Sequence, residues 1–270
     1  MQQDQQILIN IMEYRIEYID GKEFRHPVIL YKYRDWDNLN HRKILQDNTI
    51  YFASPNSFED IHDCNVPESF PSGTKLYDIF LQESKDKCPN RTRQQHRKFA
   101  RYWSKHSPLA HPKLLKEKIE QFNTVFNNRF GVLSLTANPH NEDMWEKYGN
   151  SHKGFCVGFD TGKLFEADSM GGGEVQYSDE LPTIDFISDD FKTKHIKNIF
   201  FKETKWQFEQ EYRLHKMWEN DISNAERNIK LPADCIVEII LGKRMSDKDR
   251  EEIKSLVLSK YPHIKISVES

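Results

Sequence analysis

Glu209 and Glu211 stand two residues apart in Trp206-Gln207-Phe208-Glu209-Gln210-Glu211-Tyr212-Arg213, a run framed by aromatics and one arginine. If the run is a strand, both carboxylates point to one face. Like charges so close disfavour joint ionisation, so the spacing predicts that one pKa rises. Such a pair suits general acid–base work or the stabilisation of a developing cation. The alternative is a solvated pair with Arg213 as its counter-ion.

Other residues offer weaker chemistry. Ser134 and Thr136 share one face of a predicted strand, where hydroxyls can bind a ribose, position a glutamate, or simply bond locally. Asp60 and Asp63 can join Glu209 or Glu211 around Mg²⁺. His62, Asp63 and Cys64 are adjacent, but adjacent side chains diverge and no second cluster completes a site, so no metal is predicted. Arg93, Arg97, Arg101 and Lys105 recur every fourth residue and form one cationic stripe on a helix. That stripe suits phosphate, nucleic acid or another acidic partner, or is a solvated face. Phe99, Tyr102 and Trp103 are spaced as the opposing core face.

These residues need elements to hold them. Val28–Tyr33 reads as a buried strand, residues 38–47 as a helix, and Thr49–Ser54 as a second strand stopped by Pro55. Helices are predicted near 75–84, 91–105 and 113–127. Strands follow at 131–136 and 154–159, around a short helix at 142–148 with Gly149 at its end. Gly154 and Gly158 predict close approach of a backbone or ligand. Gly171-Gly172-Gly173 reads as a turn before a strand from Glu174. Strands at 211–217, 235–241 and 264–268 and helices at 189–200 and 246–261 complete an α+β chain. The expected organisation is a single α+β domain over 1–270, a mixed sheet with a helical insertion at about 71–129.

Bulk properties exclude little. Lys and Arg number 39 against 42 Asp and Glu, so any basic site must be local. The four cysteines form no Cys-x-x-Cys pair, which fits a reducing cytoplasm. The first residues, Met1 to Gln6, carry no signal-peptide pattern, and no segment approaches the ~20 apolar residues of a membrane helix. The expected location is cytoplasmic, with no membrane partner.

Several segments together resemble the domain-of-unknown-function 2971 family of bacteria. They are Tyr31-Lys32-Tyr33-Arg34; Tyr51-Phe52-Ala53-Ser54-Pro55 with Phe58, Asp60 and Asp63; Met144-Trp145 and Tyr148; His152 to Phe159; and Trp206 with Glu209, Glu211 and Arg213. The family's usual Asn-Asp-Pro-Phe-Asp is here Glu59-Asp60-Ile61-His62-Asp63. Membership implies a phage-defence or toxin setting by association. The order of strand with Arg, strand with Ser-x-Thr, then Glu-x-Glu also resembles the ADP-ribosyltransferase superfamily. That resemblance implies an ADP-ribosyltransferase-like fold with NAD as substrate. Arg34 would bind its phosphates or ribose, Ser134 and Thr136 would shape the nicotinamide pocket, and Glu211 would support an oxocarbenium-like transition state beside Glu209. The superfamily's His-Tyr-Glu variant implies another placement, with Tyr31 or Tyr33 first and Tyr51 stacking on nicotinamide.

The expected function is therefore an NAD-using transferase that modifies a protein or nucleic-acid acceptor, or an NAD-hydrolysing effector. The alternatives are a metal-dependent nuclease, with Asp60, Asp63, Glu209 and Glu211 on Mg²⁺, and a non-catalytic sensor of a phage-derived or other acidic partner through the basic helix.

Overall fold

The computed structural model describes residues 14–19, 22–70, 72–167 and 171–270. The chain opens with strands β1 (Tyr14–Ile19), β2 (Lys22–Pro27) and β3 (Ile29–Arg34), helix α1 (Leu39–Gln46), and strands β4 (Thr49–Tyr51) and β5 (Glu68–Ser69). Three helices follow, α2 (Thr74–Lys87), α3 (Arg93–His106) and α4 (Pro112–Arg129). Next come β6 (Phe130–Thr136), α5 (Glu142–Tyr148), β7 (Phe155–Asp160), α6 (Thr161–Glu166), β8 (Gly171–Glu174), β9 (Gln176–Ser178) and β10 (Ile184–Asp185). The last elements are α7 (Phe191–Phe200), β11 (Phe201–Glu203), β12 (Glu211–Met217), β13 (Asn228–Lys230), β14 (Ile236–Leu241), α8 (Asp247–Lys260) and β15 (Lys265–Val268). The architecture is α+β, built on a mixed seven-stranded sheet in the order β15-β14-β7-β3-β6-β12-β8. Only β14 and β15 run parallel; the other neighbours are antiparallel.

Alternation along the strands sorts side chains onto two faces. One face buries Leu30, Leu133, Leu135, Phe155, Val157 and Phe159 against Ile44 and Leu45 of α1 and Ile253 and Val257 of α8. The other packs Tyr31 and Tyr33 with Cys156 and Trp145 of α5.

The join between β3 and β6 is the unusual feature. One residue pair, Tyr31 with Thr136, connects them, whereas β3 and β7 pair over six. Beyond it the strands part, and the edge of β6 is met at Val132 by Ala53, through two backbone hydrogen bonds of 2.9 and 2.8 Å. Between these contacts the Ser134 carbonyl has no strand partner. It accepts a hydrogen bond from Lys32 Nζ at 2.5 Å, so a side chain fills the break in the ladder.

Two expectations change. Gly171–Glu174 is an edge strand on β12 rather than a turn: Gly172 lies where a Cβ would meet Leu214 at 2.4 Å, so its lack of a side chain serves packing. The buried residues of α3 are His96 and Ala100; of the expected core face Phe99 packs against Leu76, Phe80 and Ala100, while Tyr102 and Trp103 are 54% and 38% exposed. Strands β1 and β2 pair antiparallel, Tyr14–Ile19 against Lys22–Pro27.

Candidate functional site

At the parting of β3 and β6 lies a cavity of about 340 Å³, within the usual size of a small-ligand site. Because the sheet is split there, side chains from both of its faces reach one space. Tyr31, Lys32, Tyr33 and Arg34, consecutive on β3, all line it, with Ser134, Glu209 and Glu211 from later in the chain. Phe58, Tyr51, Tyr148 and Trp206 supply further aromatic wall.

The acidic end is held by Lys202 of β11. Its ammonium lies 2.6 Å from Glu209, 3.1 Å from Asp63 and 3.2 Å from Glu211. Arg213, fully buried, donates to Glu211 through Nε and Nη2 at 2.7 and 2.9 Å and to Asp63 through Nη2 at 2.7 Å. Tyr148 donates its hydroxyl to Glu209 at 2.5 Å. Asp63, Glu209 and Glu211 are each 5% exposed or less, so the pair is not a solvated one. Three carboxylates face two cations, which leaves one uncompensated negative charge in a water-poor place.

Local geometry makes this possible. Residues Thr204–Glu209 form a 3₁₀ turn, and Gln210 takes a left-handed backbone with φ 44° before β12 begins. Glu209 is therefore not on the strand with Glu211, so the shared strand face considered for the pair does not form; the reversal at Gln210 aims both carboxylates at one ammonium. An L residue adopts such a φ at a cost, and it persists where the surroundings fix it. Here the Glu211 backbone N–H donates to Tyr177 of β9 at 2.9 Å, and β9 in turn pairs with β11.

The electrostatics also correct the sequence reading. Burial alone would raise the Glu211 pKa, but Arg213 and Lys202 overcome it and hold the carboxyl at about 2. Glu211 is thus ionised rather than a general acid at neutral pH. Lys202 shows the converse: burial opposes its charge, yet Glu211, Asp63 and Glu209 raise its pKa above the ordinary lysine value.

The other end of the cavity is lined by basic side chains. Lys32 is pushed well below the ordinary lysine pKa, chiefly by burial and then by Arg34. Burial lowers Arg34 to about 10. Neither makes an ion pair among the described residues. Arg34 sits where β3 passes Gly154, at which a Cβ would fall 2.1 Å from the Arg34 carbonyl oxygen. That is the close backbone approach expected of Gly154, whereas Gly158 admits side chains instead, the Tyr31 ring among them.

Of the expected site residues, Glu209, Glu211, Tyr31, Tyr33, Arg34, Tyr51 and Ser134 meet in this one cavity. Thr136 does not line it. It is fully buried, and its hydroxyl accepts from the Asn138 N–H at 3.2 Å. Arg93, Arg97, Arg101 and Lys105 lie exposed on α3 and line no part of the cavity. Asp60, weighed as a metal ligand, accepts from Trp206 Nε1 at 2.5 Å and pairs with Lys205 at 3.0 Å. Sequence reading missed Lys202 and Lys32. Each had a signal: Lys202 follows Phe200-Phe201, and Lys32 stands between two tyrosines of a buried strand, settings where a lysine needs a partner or a task.

No described helix is long and apolar enough to cross a membrane. No curated protein and no solved structure matches the chain. Residues 144–214, which carry Tyr148, Lys202, Trp206, Glu209, Glu211 and Arg213, match the family described as Protein of unknown function (DUF2971), so the resemblance read from the sequence to that family holds over the acidic half of the site.

Proposed function

We propose that the cavity binds NAD and that the chain cleaves its nicotinamide–ribose bond, passing ADP-ribose to water or to an acceptor in the manner of an ADP-ribosyltransferase. The observation that carries this reading is the separation of charge within one aromatic-walled space: unpaired Lys32 and Arg34 at one end, and a carboxylate cluster with one negative charge in excess at the other. In the reaction the C–N bond breaks and its electron pair leaves on nicotinamide. Positive charge spreads over the ribose, and a fixed negative cluster stabilises it more in the transition state than in the ground state. Water or an acceptor hydroxyl, thiol or amine then bonds to the ribose carbon and gives up its proton. Tyrosine and tryptophan rings hold the nicotinamide and exclude competing water. Lys32 and Arg34 take the phosphates.

The exposed Arg93, Arg97, Arg101 and Lys105 form no ion pair among the described residues, which supports a polyanionic acceptor such as nucleic acid at α3. A Mg²⁺ nuclease is less well supported, since Asp63, Glu209 and Glu211 already surround the Lys202 ammonium.

The test is nicotinamide release from labelled NAD by wild type, Glu211→Gln and Arg34→Met, with thermal melts to check each fold. Glu211→Gln should lower turnover by about 100-fold or more with little change in NAD affinity, and Arg34→Met should weaken binding. No release by wild type, with or without candidate acceptors, ends the proposal.

A further inference from the structure

Arg34, His41 and Tyr51 line not one cavity but two. The second, of about 500 Å³, continues from that shared wall past Asn38, Asn40 and Lys43 to Asn224 and Asn228. No carboxylate lines it, in contrast to the first. Lys43, like Arg34, has no ion-pair partner among the described residues. Resting on the NAD reading above, we propose that the two cavities take the two halves of one dinucleotide, with its diphosphate at the Arg34–His41 wall and its second nucleoside among the asparagines.

The chemistry of the linings differs as such a ligand requires. A diphosphate carries two negative charges, and Arg34 on the shared wall, Lys32 in the first cavity and Lys43 in the second are basic side chains that form no ion pair among the described residues. His41 adds a neutral donor there: burial, Arg34 and Lys32 lower its pKa to about 4, and its Nδ1 accepts the Asp35 N–H at 3.2 Å, so Nε2 carries the proton. Asparagine amides offer donors and acceptors together, which matches a nucleobase edge and ribose hydroxyls. A carboxylate in that cavity would repel the phosphates, and none is there. An aromatic first cavity and an amide-lined second one also divide the labour, the first for a ring that leaves and the second for a group that stays.

Calorimetric titration with NAD, ADP-ribose, nicotinamide mononucleotide and AMP tests this, using wild type, Asn40→Ala and Lys43→Ala. No side-chain bond holds either residue in the structure, and melting curves check that both variants fold. NAD and ADP-ribose should bind about tenfold or more tighter than nicotinamide mononucleotide. Each variant should weaken NAD and ADP-ribose by about three- to tenfold and leave nicotinamide mononucleotide unchanged. Equal affinity for NAD and nicotinamide mononucleotide, with both variants silent, overturns the two-cavity inference and leaves the NAD reading standing. Variants that weaken nicotinamide mononucleotide as much as NAD overturn it too. Failure of all four compounds to bind wild type overturns both.

Discussion

Replacing Lys202 by methionine removes the one ammonium that three buried carboxylates share. At neutral pH the cluster goes from three negative and two positive charges to three and one. Each lost contact, at 2.6 to 3.2 Å, has a gross attraction of about 5 to 6 kcal/mol at an effective dielectric near 20. Most of that is offset, because the ammonium itself no longer gives up its hydration. Breaking a buried pair from one side typically costs about 3 to 5 kcal/mol, and Lys202→Met should fall in that range. Against a usual total of about 5 to 15 kcal/mol, such a loss brings the fold near its limit. Urea unfolding at pH 7 should show a lower midpoint with an unchanged slope. Two further outcomes belong to the charge argument rather than to lost packing. Adding Glu209→Gln should recover at least about half of the loss, since it restores the charge balance. The loss should also shrink as pH falls, because carboxylates without Lys202 protonate more readily in the folded state. A loss under about 1 kcal/mol, or one that is neither recovered by Glu209→Gln nor reduced by acid, refutes the account.

Two other predictions rest on the same geometry. The Glu211 pKa lies at about 2 in the fold against an ordinary 4.5, so its contribution is complete above pH 4.5 and is lost as pH falls towards 2; at about 1.4 kcal/mol per unit this is roughly 3 kcal/mol. Acid unfolding curves between pH 5 and 2 should therefore be shallower for Glu211→Gln than for wild type, and parallel curves would contradict the assignment. Gly154→Ala places a Cβ 2.1 Å from the Arg34 carbonyl oxygen and should cost about 1 to 3 kcal/mol or more in a thermal melt while weakening ADP-ribose binding at Arg34. Gly173→Ala, whose Cβ meets only a Phe200 ring at 3.3 Å, is the control that should stay close to wild type.

Much of the scaffold was legible in the residues. The run Ile29–Arg34, the helix Glu142–Tyr148 ended at Gly149, and the strand Glu211–Met217 all follow from periodicity and end signals that local physics enforces. The acidic pair, Tyr31, Tyr33, Arg34 and Ser134 were also recognisable as residues of one site. What escaped was what tertiary contact decides. Gly171–Glu174 looks like a turn because three glycines favour one, yet β12 offers it a ladder and leaves little room for a Cβ at Gly171 and Gly172. That Glu209 still turns its carboxylate to the same ammonium as Glu211 depends on a single left-handed Gln210, which its sequence does not announce. The direction of the Glu211 shift depends on Lys202, which lies nine residues earlier on another strand, and its apolar neighbours mark it as needing a partner without saying which one. Thr136 and Ser134 are equivalent by alternation, but the single pairing of Thr136 with Tyr31 buries one and leaves the other at the cavity.

That single pairing also explains why binding groups and a stable sheet coexist. A continuous β3–β6 ladder would satisfy the backbone of both strands, but it would confine Lys32 and Arg34 to the face shared with Leu30, away from Ser134 and Glu211. A wider gap would leave the carbonyl of Ser134 buried without a donor, which costs about 1 to 3 kcal/mol. The lysine resolves both demands: its ammonium serves the orphan carbonyl and remains on the cavity wall, with further N–H donors to offer a ligand. The position of Lys32 is therefore fixed by the fold before any ligand arrives, and the ordering of that flexible side chain is a cost that binding does not have to meet. The close passage of β3 over Gly154 fixes the backbone of Arg34. Lys32 is placed by the break in the sheet, just as the acidic end is placed by Lys202 and Arg213, so both ends of the cavity are set by the fold itself.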